Sequence, residues 1–266
     1  MPPLIATVGA HNPITPEALI DALDAARVDP RDEAGFAALA PLLARLGANR
    51  RFLADRAVAE LKSRHAGQRA NGYGAQVLLL HPPTGHYVLR ANFWPAAGDA
   101  VLRASGPAPF FYDFPHDHNF PFLTLGYLGP GYWSDYYERA DRGGAAGDPA
   151  GLAFTGRARL APGEVRHYRA HRDIHRQLPP DAFSVSINIL GYHPAQPWRD
   201  QLRFDLERNR IAGTLTTTPS EVLVALAVQL GGGNGIDLAS DFAQRHPHPR
   251  MRRTALQALR SAGLGD

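Results

Sequence analysis

The chain contains no cysteine, which excludes disulfides, thiolate metal sites and cysteine nucleophiles. It has one lysine, Lys62, among 28 basic residues. The arginines are spread along the chain rather than gathered in a basic arm, so nucleic acid is not an expected partner despite a pI of about 9.4. Net charge is only +3. No apolar run approaches the roughly 20 residues of a membrane helix. The start "MPPLIATVGAHNPITPEAL" lacks a basic stretch followed by an apolar core, so neither a membrane contact nor a signal peptide is expected, and the cytoplasm is the expected compartment. Gly-x-Ser-x-Gly is missing, which removes the nucleophile elbow of serine hydrolases. "GGGNG" at 231–235 is not followed by Lys-Ser/Thr and follows no strand pattern, so it is not a phosphate loop.

What is present is 266 residues with 44% hydrophobic content, enough for a large core. Periodicity separates three zones. Residues 1–70 read as helical: "TPEALIDALDAARV" offers Thr15 as N-cap and Pro16 at the first helical position, and Gly47 and Gly67 read as helix stops. Residues 71–207 read as short strands. "AQVLLLHPPTGHYVLRANFWPA" and "FPFLTLGYLGPGYWSDYYE" are expected to be hairpins around "PPTG" and "GPG", "APGE" marks another turn, "DAFSVSINILGYHP" is a buried strand, and "QLRFDLE" is expected to close the sheet. Many short strands with Gly/Pro punctuation predict an antiparallel barrel or sandwich. Residues 208–266 read as helical again, with Thr218 or Ser220 as a cap. "HPHPRMRRTALQAL" resembles the loop-to-helix start of a HEAT-type repeat. One unit cannot make a solenoid, so the segment reads as a terminal helical pair and a candidate homodimer surface.

Histidines carry the chemistry. His116-x-His118 is a cheap motif: with 12 histidines in the chain, chance supplies roughly half an occurrence. The chain also holds a second copy, His246 and His248, in a Pro-kinked, solvent-exposed turn by pattern. Context favours the first pair. It opens an apolar, strand-like run, and residues two apart on a strand share a face. A third ligand must come from "RHYRAHRDIHRQL", where His167, His171 and His175 recur at a spacing of four and so share a face. His175 is preferred because "DIHRQL" leads into the strand "FSVSINIL", with His171 beside it. "His171-Arg172-Asp173" has the His-x-Asp form of two-oxoglutarate oxygenases, but His193 is too close to serve as their distal histidine and His246 lies in the helical tail.

Pro115-His116-Asp117-His118, and Pro162-Gly163 with Ile174-His175-Arg176, resemble the two metal motifs of the cupin superfamily. The resemblance implies a mainly β fold: an antiparallel β-barrel, or double-stranded β-helix, here with N-terminal and C-terminal helical additions. Cupins commonly place a glutamate ligand a few residues after the second histidine. Phe122, Leu123 and Thr124 stand there, so the implied site is all-histidine: His116, His118 and His175. Within cupins, "HDHNFPFLTLGYL", "DIHRQ" and "AFSVSINILGYHP" are most similar to the thiol dioxygenases, the cysteine dioxygenase family, over roughly 75–195. That family's Ser-x-His-x-Tyr strand corresponds to Ser186-Ile187-Asn188-Ile189-Leu190, so the substrate-orienting relay is absent. Arg90 lies near the family's carboxylate-binding arginine.

Three neutral imidazoles leave a divalent charge uncompensated, which favours an anionic or chelating ligand. The expectation is a mononuclear non-haem Fe(II) oxygenase acting on a small-molecule substrate with dioxygen, with Arg90 and Asn188 at the substrate and Phe114 and Phe122 lining the pocket. Zn, Mn or Ni are the other candidate ions. A three-histidine zinc hydrolase or isomerase and a non-catalytic metal- or ligand-binding cupin that uses its tail for a protein partner are the alternatives.

Overall fold

The architecture comes from a computed structural model, which describes residues 1–9, 12–139 and 143–264. The chain divides into two compact units, Met1–Pro194 with Gln201–Gly213, and Ala195–Asp200 with Thr214–Asp266.

In the first unit the strands are β1 (Leu4–Thr7), β2 (Val77–Thr84), β3 (Tyr87–Trp94), β4 (Phe122–Leu128), β5 (Trp133–Arg139), β6 (Leu152–Arg159), β7 (Glu164–Tyr168), β8 (Asp173–Leu178), β9 (Ser184–Gly191), β10 (Leu202–Asp205) and β11 (Arg210–Thr214). They form a six-stranded sheet ordered β1-β7-β4-β9-β3-β2, a three-stranded sheet β6-β5-β8 and a ribbon β10-β11, all antiparallel in the pairs between β1 and β9. Antiparallel sheets form the body of this unit, and helices are added at both ends of the chain, as the sequence predicts. The helices before the sheets are α1 (Pro16–Ala26), α2 (Glu33–Ala37), α3 (Ala40–Ala48) and α4 (Phe52–Lys62), and α5 (Ala100–Ser105) follows β3. Thr15 caps α1 as the sequence predicts, its hydroxyl accepting from the Ala18 N–H at 3.2 Å with Pro16 beginning the helix.

The six-stranded sheet is covered on both faces, and its strands read accordingly. Leu89, Ala91, Leu123, Leu125, Val185, Ile187 and Ile189 point one way, into a core shared with Leu19, Leu23, Phe36, Leu43 and Leu46 of the helices. Their neighbours point the other way, where Val88, Phe122, Tyr168 and Leu190 meet Tyr136 of the three-stranded sheet. All eight residues of β9 are buried. Leu202, Phe204 and Ile211 of the ribbon cover Ile174 on the far side of the smaller sheet.

Four expectations change. "FPFLTLGYLGPGYWSDYYE" is not a hairpin, because β4 and β5 belong to different sheets. Gly129 (φ 77°) and Gly131 (φ 86°) carry the chain across in left-handed backbone that favours glycine, and a Cβ on Gly131 would collide with the Leu160 carbonyl. Gly47 does not stop α3 but sits buried inside it, because a Cβ there would press on Leu125 of β4 and on Val8. "QLRFDLE" pairs with β11 in a separate ribbon instead of closing the sheet. Finally, β1 and β11 are strands within stretches that read as helical.

In the second unit, α6 (Pro219–Leu230), α7 (Gly232–Arg245) and α8 (Pro249–Ser261) share a core of Val224, Val228, Ala239, Met251, Ala255 and Leu259. Glu221 accepts from the Thr218 N–H at 3.0 Å at the start of α6. Arg250 ties the unit together through Asp200 (2.8 Å) and Glu221 (2.6 Å). Among the described residues no helix is long and apolar enough to cross a membrane.

Candidate metal centre

His116 and His118 lie in an extended segment just before β4. His116 is bridged to β8 by a reciprocal backbone pair: each of His116 and His175 donates its N–H to the other's carbonyl at 3.1 Å. Asp117 points away from the pair. Its backbone N–H donates to the Leu202 carbonyl at 3.1 Å, and its carboxylate accepts from the Leu202 N–H at 2.6 Å. The segment is thus fixed on both edges, and alternation delivers both histidine rings to the same side.

There they meet His175. His175 Nε2 is 3.0 Å from His118 Nε2 and 3.3 Å from His116 Nε2, and the three donor atoms all lie within 4.8 Å of one another. Nitrogen ligands at about 2.0–2.1 Å from one ion stand about 2.8–3.4 Å apart, depending on whether the angle between them is octahedral or tetrahedral. The two spacings from His175, 3.0 and 3.3 Å, fall in that window. All three residues are buried. Burial pushes His116 below the ordinary imidazole range, the Arg90 charge adding to it, and pushes His175 and His118 well below. Unprotonated rings are what an ion requires. His116 Nδ1 donates to the Phe114 carbonyl at 2.7 Å, the tautomer that leaves Nε2 as a free lone pair. The donor set therefore suits a divalent ion of the kind imidazole prefers.

The other histidines go elsewhere. His167, on β7, faces the helices, its ring 6.1 Å from Phe36. His171 sits in the turn between β7 and β8 at φ 59°. It donates its backbone N–H to the His118 carbonyl at 2.7 Å and holds Nδ1 3.2 Å from Asp117 Oδ2. The spacing of four does not give one face because the chain reverses between the two strands. His171 and Asp173 do not act as a pair, since Asp173 is taken by Arg169 at 2.5 and 2.8 Å. His246 and His248 belong to the helical unit. They are half-buried rather than solvent-exposed, with His248 stacked on Trp198 at 4.7 Å, and among the described residues no third donor joins them.

Sheet register places the remaining candidates. Phe122 touches His118, ring centroids 4.8 Å apart, and stands in one cross-strand row with Leu190 and Tyr168. The next row is polar: Arg90 opposite Asn188, Asn188 opposite Thr124, and Thr124 opposite Arg166. The Thr124 hydroxyl donates to Asn188 Oδ1 at 3.0 Å. Arg90 lies 4.7 Å over the Tyr73 ring. Its Nε is buried without a hydrogen-bond partner, and among the described residues no carboxylate pairs with it. Phe114 stands 5.6 Å from the His116 ring.

Sequence reasoning missed Gln177. It follows His175 by two residues on β8, shares its face, and holds Nε2 3.2 Å from both nitrogens of the His175 ring. The alternation of "DIHRQL" carries that signal.

No known family profile matches the chain, and no curated protein matches it, so the narrower likeness to thiol dioxygenases rests on the motifs alone. Similar solved structures include a cupin domain from Bordetella pertussis Tohama I, at 13% identity over 46% of this chain and 96% of the other, with a TM-score of 0.27. A hydroquinone 1,2-dioxygenase from Sphingomonas sp. TTNP3, with 4-hydroxybenzoate bound, shares 9% identity over 46% of this chain and 69% of its own, with a TM-score of 0.30. RmlC from Streptococcus suis, in complex with dTDP-D-xylose, shares 10% identity over 52% and 81%, with a TM-score of 0.24.

Proposed function

We propose that the protein is a mononuclear, metal-dependent oxygenase. On this reading the Nε2 atoms of His116, His118 and His175 hold Fe(II), and a small substrate bearing a carboxylate is oxidised with dioxygen. The observation that carries it is the convergence of three buried imidazoles, with His175 Nε2 at 3.0 and 3.3 Å from the other two and burial opposing their protonation, and with no acidic group joining the cluster among the described residues. When held by these three histidines, the ion would supply a cationic centre for an anionic substrate and the redox chemistry that dioxygen needs.

The chain's own residues bind and orient. The half-buried Arg90 guanidinium pairs with no carboxylate among the described residues, so a substrate carboxylate is its natural partner. Tyr73 covers it from one side. Asn188, oriented by Thr124, stands beside it in the polar row and offers its amide to the same ligand. Phe114 and Phe122 exclude water from the histidines and suit the apolar part of the substrate. Without the His and Tyr of a thiol-orienting relay, free cysteine is a poor substrate.

Elemental analysis of anaerobically purified protein, followed by dioxygen uptake with a panel of carboxylates and thiols, tests the reading. One iron per chain and uptake with a carboxylate support it. Zinc alone with no uptake would turn the same site to hydrolysis or isomerisation, and sulfinate formation from cysteine would overturn the substrate argument. Arg90→Met should weaken binding of the active carboxylate at least tenfold and leave the melting temperature about unchanged, because it removes a partly buried charge that no carboxylate among the described residues compensates.

A further inference from the structure

We infer that the outer face of α6 is an interface between two copies of this chain, closed by a two-fold axis at Leu226. It lies outside the candidate metal centre and does not depend on the function proposed there. The inner face of α6 is accounted for, since Val224 and Val228 are buried in the core of the helical unit. The outer face is not. Val222, Leu223, Leu226 and Leu230 are 71%, 59%, 51% and 79% exposed. A single exposed leucine needs no explanation, but four apolar side chains on one helix face do. Ala225 and Gln229 complete that face and are exposed too, so it carries no charge. The one charged residue of α6, Glu221, is turned to Arg250 at 2.6 Å. By contrast, α7 exposes Asp237, Asp241 and Arg245, and α8 exposes Arg253 and Arg260. Those helices meet water with charge, and α6 does not.

Charge, order and size select a second copy as the occupant. An uncharged face offers no sign for a different partner to complement, and two copies meet across it without repulsion. Val222, Leu226 and Leu230 follow one another at a spacing of four, which makes them one ridge on the helix surface. That ridge reads the same from either end, with an apolar residue four positions to each side of Leu226. A two-fold axis through Leu226 therefore sets Val222 of each copy beside Leu230 of the other, as a self-complementary interface requires. Ridges of this spacing interlock with the helix axes about 50° apart. Gly231, Gly232 and Gly233 follow the helix and bring no side chain to obstruct the approach. Four side chains exposed to this degree present on the order of 400 Å² of apolar surface, toward the upper end of what a monomer leaves bare. With Ala225 and Gln229 included, two copies bury on the order of 1,000 Å², the size a specific interface must reach.

Sedimentation equilibrium of the full chain at micromolar concentrations and above tests the inference. The wild type should approach twice 28.9 kDa and dissociate on dilution. Leu226→Glu and Leu226→Arg each set like charges against each other at the axis and should weaken association at least about a hundredfold. Circular dichroism should not change, because Leu226 is half exposed and both replacements favour helix. An equimolar mixture of the two variants should recover the dimer, since each glutamate then faces an arginine. That recovery also shows that both variants are folded. A wild type that stays monomeric at every concentration would overturn the inference and leave the face to a different partner. So would a dimer that Leu226→Glu does not weaken, or a mixture of the two variants that stays monomeric, which would move the axis away from Leu226.

Discussion

At the scale of single residues, the strongest test contrasts two histidines four positions apart. His175 contributes a nitrogen to the cluster, whereas His171 touches the site only through the His118 carbonyl and Asp117. His175→Ala should abolish stoichiometric Zn(II) binding, because two points do not hold the ion. His171→Ala should weaken it roughly 10–100-fold, and His248→Ala should leave it unchanged; isothermal titration ranks the three. Acidity gives a second test. Burial depresses His116, His118, His175 and His167 in the folded chain, while an unfolded histidine titrates near 6.5. As the pH falls through that value the unfolded chain takes up protons that the folded chain refuses. Stability is therefore full above about pH 7 and falls below it, by up to about 1.4 kcal/mol per pH unit for each such histidine. Urea unfolding of metal-free protein at pH 7.5 and 5.5 should show the loss, and replacing the three cluster histidines by alanine should shrink it.

At the scale of elements, α3 lies against β4 with Gly47 at the contact. Gly47→Val should cost about 1–3 kcal/mol from overpacking, whereas Gly98→Ala, with nothing near its Cβ, should be close to neutral; denaturant midpoints decide. The same contact shows what sequence could and could not reveal. The alternation in "SVSINIL" announces a strand with an apolar face and a polar one, and β9 has both: Val185, Ile187 and Ile189 toward the helices, Ser186 and Asn188 toward the site. His116 and His118 were legible because a spacing of two survives any extended conformation. His175 was separable from His171 only by its placement before a strand. The "GPG" turn announces a reversal but not which sheet receives the next strand. That depends on the backbone around Leu160, more than twenty residues further along. Gly47 looks like a helix stop for the same reason: its partner, Leu125, is distant in sequence. Gln177 went unnoticed because a glutamine has no motif and gains meaning only from the ring beside it.

At the scale of the whole molecule, each of the two units has its own core. The candidate site belongs entirely to the first, and the Arg250 ion pairs entirely to the second. Saturating Zn(II) should therefore raise the unfolding temperature of the β unit, by about 2.7 kcal/mol of added stability at a hundredfold excess over Kd. Arg250→Ala should lower that of the helical unit. Calorimetry of both proteins, with and without the ion, checks the assignment. Within the β unit, β9 has protein on both faces and a hydrogen-bonded strand on each edge. Its amides can meet solvent only when the unit opens as a whole, so deuterium should enter 185–190 last. Asn188 rides on that strand and has no local motion by which to follow a misshapen ligand. If the polar row holds the substrate as proposed, a compound that does not match it would be turned away instead of being accommodated.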